Sequence, residues 1–554
     1  LRDPAETLRV VEARDFGGDL LLKEVQERVV AVLRMAEALS PQYHVVVANP
    51  PYAGSKGLNE SLAHFAKTQF PASKSDLYSM FIQRGVLFVL LGGFCSMVTM
   101  QSWMFLSTYE GLRSELLSKG SISSLAQIGY NSFPEMNSKV ATATAFIVEV
   151  GQHGKAGAFI NLNDAPQSAD KDEVFKSKKA ENAIFRRSSD HFVSIPGAPI
   201  AYWVSDAILD AFKDVDLIGE RAKKGITTGD NETFMRLWWE VAQQSFSLFA
   251  MKKWVPSQKG GDFRRWFGNV ENVINWHDDG SEIRNFRFND GRMRSRVFND
   301  DFFFRPGVTW TDVSSGKLSM RYVPEGYLFN ASGPTIFSND SEEMLAYFNS
   351  NFAQSIADFM SPTLHFEVGQ IQRFPMPKKI PSSGAMSVLI AMSKSDWDAY
   401  ETSWDFTTLP LLSPDHRADT LEATYARLRT HWQGMTDEMK RLEEENNRIF
   451  IDAYGLQDEL TPEVPIEEIT LTCNPAYRYG VKGTEGERET RLRADTMAEF
   501  LHYAVGCMFG RYSLDAPGLI LANQGERLED YLARVPDPSF TPDADNVIPV
   551  LDEN

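Results

Sequence analysis

The chain has little cysteine, and its cysteines are far apart. Its 554 residues include only three, Cys95, Cys473 and Cys507, and no two of them have the two-residue spacing of a zinc or redox motif. We therefore expect neither a metal site nor a disulfide framework, and the composition fits the reducing cytoplasm.

Long apolar runs and an excess of positive charge are also missing. The most apolar segment, residues 86–91, is followed by Gly92-Gly93 and is far too short to cross a bilayer. No signal peptide is recognisable, so we expect a cytoplasmic protein without membrane contact. The net charge of −19 argues against indiscriminate binding to polyanions. It leaves open binding through a local basic face.

The overall composition is that of a globular protein, with 43% hydrophobic and 24% charged residues. A chain of this length holds about two to four domains. It begins with Leu1 in a helix-like region rather than with Met, which favours a piece of a longer chain, the other explanation being processing.

The most informative motif is Asn49-Pro50-Pro51-Tyr52, which Gly54 follows closely. The apolar run Val45-Val46-Val47-Ala48 before it predicts a buried β-strand. An amide, two prolines and an aromatic ring suit a core poorly, but they suit a clamp for a flat ring that bears an amino group. The alternative is a rigid surface turn, since Asn-Pro and Pro-Pro both interrupt regular structure.

A second Asn-Pro pair occurs at Asn474-Pro475-Ala476-Tyr477. It lacks the second proline, and we interpret it as a strand end and a turn rather than a second site.

The segments around the first motif alternate between helical and strand patterns. Helices are predicted over 21–40, 76–91 and 107–117, and strands over 92–100, 122–128 and 142–150. This alternation predicts an α/β fold with a doubly wound sheet. Active sites of such sheets lie at the C-terminal ends of strands, which is where Asn49 is expected.

The sequence VVVANPPYAG resembles motif IV of the DNA N6-adenine methyltransferases. The resemblance implies that the Asn49 side-chain oxygen and the Pro50 carbonyl accept hydrogen bonds from the adenine amino group. Pro51 would fix the backbone, and Tyr52 would stack on an adenine flipped out of the duplex. S-adenosylmethionine would be the methyl donor.

A second aromatic residue completes the implied base clamp. In the family, a motif between the last two strands of the sheet supplies a ring that packs on the target base, and Phe133 is the matching residue here. The alternative is a loop phenylalanine packed into the core.

Longer stretches resemble the PglX family, the large adenine methyltransferases of BREX phage-defence systems, and are similar also to type IIL restriction–modification enzymes. They are TGDNETFMRLWWEV, KKWVPSQKGGDFRRWFGN, SPTLHFEVGQIQRFPMP and YAVGCMFGRYSLDAPGL. The resemblance implies a site-specific DNA methyltransferase that marks host adenines in phage defence. Its implied partners are double-stranded DNA and either other BREX proteins or a phage DNA-mimic inhibitor.

The resemblance also implies three domains. Residues 1–215 would form part of a Rossmann-like, S-adenosylmethionine-dependent catalytic sheet, and 216–385 a mixed α+β domain that recognises the DNA target. Residues 386–554 would be helical, with a long helix over about 415–453 and an acidic tail. The apolar seam of that helix fits an oligomer zipper or, as we favour, packing within its own protein.

The segment 251–310 mixes aromatic and basic residues. It holds eleven Lys plus Arg against eight Asp plus Glu, in a chain that is strongly acidic overall. We predict a nucleic-acid face here, although the aromatics also suit a β-rich core with solvated charges around it. The DNA-contact candidates are Lys252, Lys253, Lys259, Arg264, Arg265, Arg292, Arg294 and Arg296. The last three alternate and would share one face of a strand.

The chain departs from the resembled families in one respect. These families carry a glycine-rich S-adenosylmethionine loop and an acidic ribose-binding residue before motif IV, and neither is found here. We therefore expect most cofactor contacts upstream of this chain, with only Asn49 and Pro50 adjacent to the cofactor. Two alternatives stay open: a bifunctional type IIL-like restriction–modification enzyme, and a non-catalytic DNA-recognition or scaffold subunit.

Overall fold

The chain is described here from a computed structural model. It describes residues 3–130, 132, 142–166, 168–249, 252–314, 316–361, 365–376 and 384–544. The chain divides into two compact units, Leu1–Lys213 and Asp214–Asn554.

In the described residues of the first unit we find six strands and eight α-helices. The strands are β1 (Tyr43–Ala48), β2 (Val89–Met100), β3 (Gly120–Gly129), β4 (Ala143–Val150), β5 (Gly157–Asn161) and β6 (Phe185–Arg187). The helices are α1 (Pro4–Glu12), α2 (Leu20–Ala38), α3 (Glu60–Gln69), α4 (Leu77–Leu87), α5 (Glu110–Lys119), α6 (Lys171–Ala180), α7 (Ser189–Val193) and α8 (Asp206–Asp210).

The six strands form one mixed sheet in the order β1-β2-β4-β3-β5-β6. β1 pairs with β2 in parallel, with Val46 opposite Cys95 and Ala48 opposite Met97. The β3–β5 pair is also parallel, and the other three pairs are antiparallel. The predicted α/β class is confirmed, and the sheet combines both strand directions.

The core of this unit lies between the sheet and helices α4 and α5. Ile82 and Val86 of α4 and Leu112 and Leu116 of α5 pack with sheet residues such as Phe146. Cys95, Met97 and Thr99 of β2 are buried, because successive side chains of a strand point to opposite faces of the sheet and these three share the inner face.

The β1 strand differs from the prediction, because it is not buried. Val45 is 56% exposed and Val47 is 73% exposed. The reason is its position: β1 lies at the edge of the sheet, and β2 is its one neighbour among the described strands. An apolar sequence predicts a buried strand only where layers cover both faces.

The second unit contains short strands and many helices. The strands are β7 (Ala222–Lys223), β8 (Met235–Leu237), β9 (Trp254–Gln258), β10 (Asn272–Asn275), β11 (Gly307–Trp310), β12 (Met320–Val323), β13 (Leu328–Phe329) and β14 (Thr335–Ile336). The helices are α9 (Asn231–Phe234), α10 (His277–Arg284), α11 (Ser341–Phe348), α12 (Asn351–Met360), α13 (Val368–Ile371), α14 (Met386–Asp398), α15 (Leu421–Tyr454), α16 (Pro475–Tyr479), α17 (Glu485–Met508) and α18 (Leu528–Arg534).

These strands form two four-stranded sheets, in the orders β13-β9-β10-β8 and β12-β11-β14-β7. The predicted long helix is α15. It begins after Thr420, whose side chain accepts a hydrogen bond from Ala423 N, and ends at Gly455 in the left-handed conformation. Its buried residues include Leu428 and Trp432, and it packs against α12 and α14 of its own unit.

Within the described ranges, no helix has the length and apolar character needed to cross a bilayer. The same ranges contain no cluster of three or more His, Cys, Asp or Glu side chains that could hold a metal ion.

Candidate active site

The Asn49-Pro50-Pro51-Tyr52 loop begins directly where β1 ends at Ala48. Asn49 and Pro51 are exposed, Pro50 is buried and Tyr52 is half-buried. The prolines restrict the backbone of the loop, because each fixes its own φ angle and limits the residue before it. The chain thus presents an amide at the end of a strand on a stiff backbone.

Asp76 holds this loop from the other side. Its carboxylate Oδ1 accepts hydrogen bonds from Ala53 N at 3.1 Å and from Tyr78 N at 3.2 Å, so one oxygen both caps α4 and anchors the loop. Leu77 N also donates to Ala53 O at 3.0 Å. Burial raises the pKa of the Asp76 carboxyl, while these backbone donors act in the opposite direction.

A row of tyrosines supports the end of the loop. The Tyr52 ring meets the Tyr78 ring edge to face, with centroids 6.0 Å apart. Tyr78 in turn contacts Tyr109, and its hydroxyl lies 2.7 Å from Ser102 Oγ. The Tyr52 hydroxyl is buried and has no hydrogen-bond partner among the described residues, and burial raises its pKa. Packing rather than hydrogen bonding therefore fixes this ring.

The second Asn-Pro pair shows what a purely structural asparagine looks like. Asn474 is buried, its Oδ1 accepts from Ala476 N at 3.1 Å, and its Nδ2 donates to Ile466 O and Ile469 O. It caps α16, so the predicted turn is a helix start. In contrast, the Asn49 amide makes no hydrogen bond to any part of the chain that the structure describes, and it is free to bind a ligand.

Two of the predicted DNA contacts are wrong. Arg264 and Arg265 are only 3% and 5% exposed, and both are used inside the second unit. Arg264 pairs with Asp396 at 2.8 Å, and Arg265 pairs with Glu443 at 2.8 Å and with Glu468 at 3.0 Å. A buried arginine with satisfied carboxylate partners cannot reach a phosphate.

The other basic candidates lie nearer the surface. Lys252, Lys253, Arg292, Arg294 and Arg296 are exposed, and Lys259 is partly exposed. We predicted that the three arginines share one face of a strand, and this is wrong, because they lie outside the named strands. They follow a tight turn that one isolated bridge closes between Arg287 and Met293, and a second bridge joins Arg296 to Thr227. Phe133 lies outside the described residues.

Asp76 and Tyr78 are the positioning residues that the motif alone did not reveal. A sequence signal for Asp76 exists, because aspartate directly before an apolar helical segment predicts an N-cap. No local pattern indicates that the same carboxylate also reaches Ala53, since that contact depends on the fold.

Comparison with known proteins finds a family match over the segment that holds this loop. Residues 22–133, which include the Asn49 loop and Asp76, match the family of the Eco57I restriction-modification methylase. Over these residues the chain is therefore similar to restriction–modification methylases.

The chain is 36% identical over 546 residues to the adenine-specific methyltransferase BrxX of Escherichia coli O9:H4 (strain HS), covering 97% of this chain and 44% of that protein. It is also 36% identical over 548 residues to the adenine-specific methyltransferase PglX of Lacticaseibacillus casei (strain Zhang), covering 94% and 43%. The predicted resemblance is thus confirmed: the chain is a relative of the BrxX and PglX methyltransferases. It spans less than half the length of either.

Among solved structures, the type IIL restriction-modification enzyme MmeI in complex with DNA is similar at a TM-score of 0.42 and 12% identity. The similarity covers 81% of this chain and 60% of that one.

Proposed function

We propose that this chain carries the adenine-gripping part of a site-specific DNA adenine N6-methyltransferase that marks host DNA in a BREX-type phage-defence system. The single observation that carries the proposal is the free, exposed Asn49 amide at the end of β1, on a loop that Asp76 pins in place. The relationship to BrxX and PglX supports the same chemistry.

The residues of the loop have distinct roles in this proposal. Asn49 Oδ1 and the Pro50 carbonyl accept hydrogen bonds from the two hydrogens of the adenine amino group. This draws the nitrogen toward tetrahedral geometry and frees its lone pair, which ring delocalisation otherwise holds. Tyr52 stacks on the flipped adenine. Positioning and hydrogen-bond polarisation then supply the catalysis, without a covalent enzyme intermediate.

S-adenosylmethionine, when bound, supplies the methyl group. The residues present fit only part of its site. In the part of the chain that the structure describes, no strand of the six-stranded sheet leads through a glycine-rich turn into a helix, which is the element that would cradle this cofactor. Asn49 and Pro50 are the residues that would lie beside the methyl group.

DNA is the proposed macromolecular substrate, and residues 216–385 are the proposed recognition domain. The local excess of basic residues in 251–310 supports this. Other BREX proteins or a phage DNA-mimic inhibitor would be further partners. A second candidate function is a DNA-recognition or scaffold subunit without catalysis of its own, and absence of a cofactor loop from the full-length protein would favour it.

The test is Asn49→Ala. We expect methylation to fall by at least about a hundredfold, as when one preorganised hydrogen-bonding group is removed from an active site, while DNA binding is retained. The measurement is sequencing of modified bases in DNA from cells that express the wild-type or variant protein, with DNA affinity measured on the purified proteins.

Asn474→Ala is the matched control, because it alters the same dipeptide at a structural site. It should lower stability by about 2–4 kcal/mol, through loss of a helix cap and of the hydrogen bonds to Ile466 O and Ile469 O, and leave the rate per folded molecule unchanged. Full methylation by Asn49→Ala would show that methyl transfer does not require the Asn49 side chain. Absence of methylation with wild type, together with sequence-selective DNA binding, would favour the scaffold function.

A further inference from the structure

The second unit carries a basic hairpin that the active site does not use. We call residues 286–296 the finger. Within 284–298 there are five arginines and one acidic residue, Asp290, in a chain whose net charge is −19. Every residue from Arg287 to Arg294 is exposed. This is a concentrated positive charge on a protruding element.

The tip of the finger is a tight turn closed by its own backbone. Phe288 N donates to Arg292 O at 2.8 Å, and Gly291 N donates to Phe288 O at 2.9 Å. Gly291 has φ +82°, a conformation that favours glycine. Asp290 accepts from Arg292 N at 3.0 Å and from Arg292 Nε at 2.8 Å. The tip therefore has a defined shape.

The base of the finger is fixed to the core of the unit. The Phe286 ring meets the buried Phe234 ring edge to face at 5.0 Å. Ser295 is buried and donates its hydroxyl hydrogen to Ile283 O. Arg296 and Thr227 exchange two backbone hydrogen bonds of 2.8 Å. Because both ends of the finger are anchored, we expect it to hold its position without a partner.

An exposed aromatic ring flanked by guanidinium groups lies at the tip. Phe288 is 48% exposed. The guanidinium groups of Arg292 and Arg294 lie over its ring, 5.8 and 5.7 Å from the centroid. Arg292 forms an exposed ion pair with Asp290, which costs little to exchange for a phosphate. Arg294 has a longer, half-buried contact of 3.5 Å with Asp230.

We propose that the finger enters a groove of double-stranded DNA, with Phe288 contacting the bases and Arg292 and Arg294 binding the phosphates on either side. The inference rests on the proposed function, since it requires DNA as the substrate. A DNA groove is wide enough to admit a narrow hairpin, and an apolar ring beside two cations matches stacked bases between two rows of phosphates. Phe288 is thus a DNA-contact residue and not part of the catalytic loop.

The experiment measures binding of a 40-base-pair random-sequence duplex by the full protein over a range of salt concentrations. Arg292→Gln combined with Arg294→Gln should weaken binding at least tenfold and reduce the slope of log affinity against log salt by about 2, because two phosphate contacts are lost. Phe288→Ala should weaken binding about tenfold and leave the slope unchanged.

The matched control is Lys482→Gln combined with Arg493→Gln, which removes the same charge from exposed positions elsewhere in the second unit. It should change affinity less than twofold. A duplex containing 2-aminopurine reports base contact directly: its fluorescence should rise on binding the wild type and not on binding Phe288→Ala.

If the finger variants bind DNA like the control while the wild type binds and methylates, the proposed role of the finger in DNA binding is wrong and the proposed function still stands. Failure of wild type to bind any DNA would overturn both. Binding of the wild type, dependent on Phe288, to phosphatidylserine vesicles but not to duplexes would assign the finger to a membrane surface and overturn the proposal.

Discussion

Tyr52 combines two properties that are rarely found together in a residue with a structural role. Its ring is held against Tyr78, yet its buried hydroxyl has no hydrogen-bond partner within the described ranges. A buried polar group without a partner costs stability, so the hydroxyl is not there for the fold. The ring is the part of this side chain that the proposed base stacking needs.

Tyr52→Phe tests this separation of ring and hydroxyl. We expect the variant to be at least as stable as wild type and to retain methylation, because stacking needs only the ring. Tyr52→Ala should lose about 1–3 kcal/mol of base-stacking energy. Thermal unfolding measures the stability of each variant, and the apparent KM for DNA measures the loss of base stacking. A strong loss of methylation in Tyr52→Phe would assign the hydroxyl a direct role.

Asp76 acts on the active site through the loop and is a positioning residue. Asp76→Ala removes the cap of α4 and the contact to Ala53 N, so we expect a loss of about 1–2 kcal/mol in stability and a lower kcat. Asp76→Asn keeps an acceptor oxygen and should restore kcat. A merely structural role would leave kcat of the folded Asp76→Ala fraction unchanged.

At the scale of elements, the sequence predicts local patterns well and partner-dependent features poorly. The helix predicted over 76–91 is α4, but it stops at Leu87 and β2 starts at Val89, because sheet pairing captures the last residues. The long helix ends within one residue of its predicted end, but it begins at Leu421 rather than near residue 415. The burial of β1 was mispredicted, since exposure depends on neighbours that the strand's own residues do not encode.

In the candidate site, too, local features are predictable from the sequence and contacts between distant residues are not. The loop and its position at a strand end follow from the motif, whereas the link from Asp76 to Ala53 does not. Arg264 and Arg265 look like surface cations in the sequence. Their carboxylate partners lie more than a hundred residues away, in α14, α15 and the segment after α15.

This buried network should contribute strongly to the second unit. Glu443 accepts from Arg265 and, at 2.6 Å, from Trp266 Nε1, and burial raises the pKa of its carboxyl. Glu443→Ala should cost about 3–5 kcal/mol, because Arg265 is left buried with one partner fewer. Chemical denaturation measures this. Arg441→Ala, in an exposed ion pair on the same helix, is the control and should have little effect.

At the scale of the whole molecule, the edge strand β1 suggests how the chain behaves in solution. Its exposed valines lie beside backbone groups that pair with no further strand among the described residues, and α2 also exposes apolar residues, among them Leu21 and Val32. Such an edge is a template for a further strand. We expect the chain to self-associate when it is purified alone, and Val47→Lys to reduce this association in analytical ultracentrifugation. A strictly monomeric wild type would contradict the expectation.

The partners of Arg264 and Arg265 also affect how the second unit can be recombined. Replacing residues 216–385 with a sequence that lacks these two arginines would leave Asp396, Glu443 and Glu468 without the cations that pair with them. Such chimaeras cut at residue 385 should therefore be destabilised, whereas chimaeras that carry the donor sequence through Asn474 should fold, because the arginine positions then keep the side chains of their own sequence around them. The favourable place to join two such sequences lies after α15, well beyond the last strand.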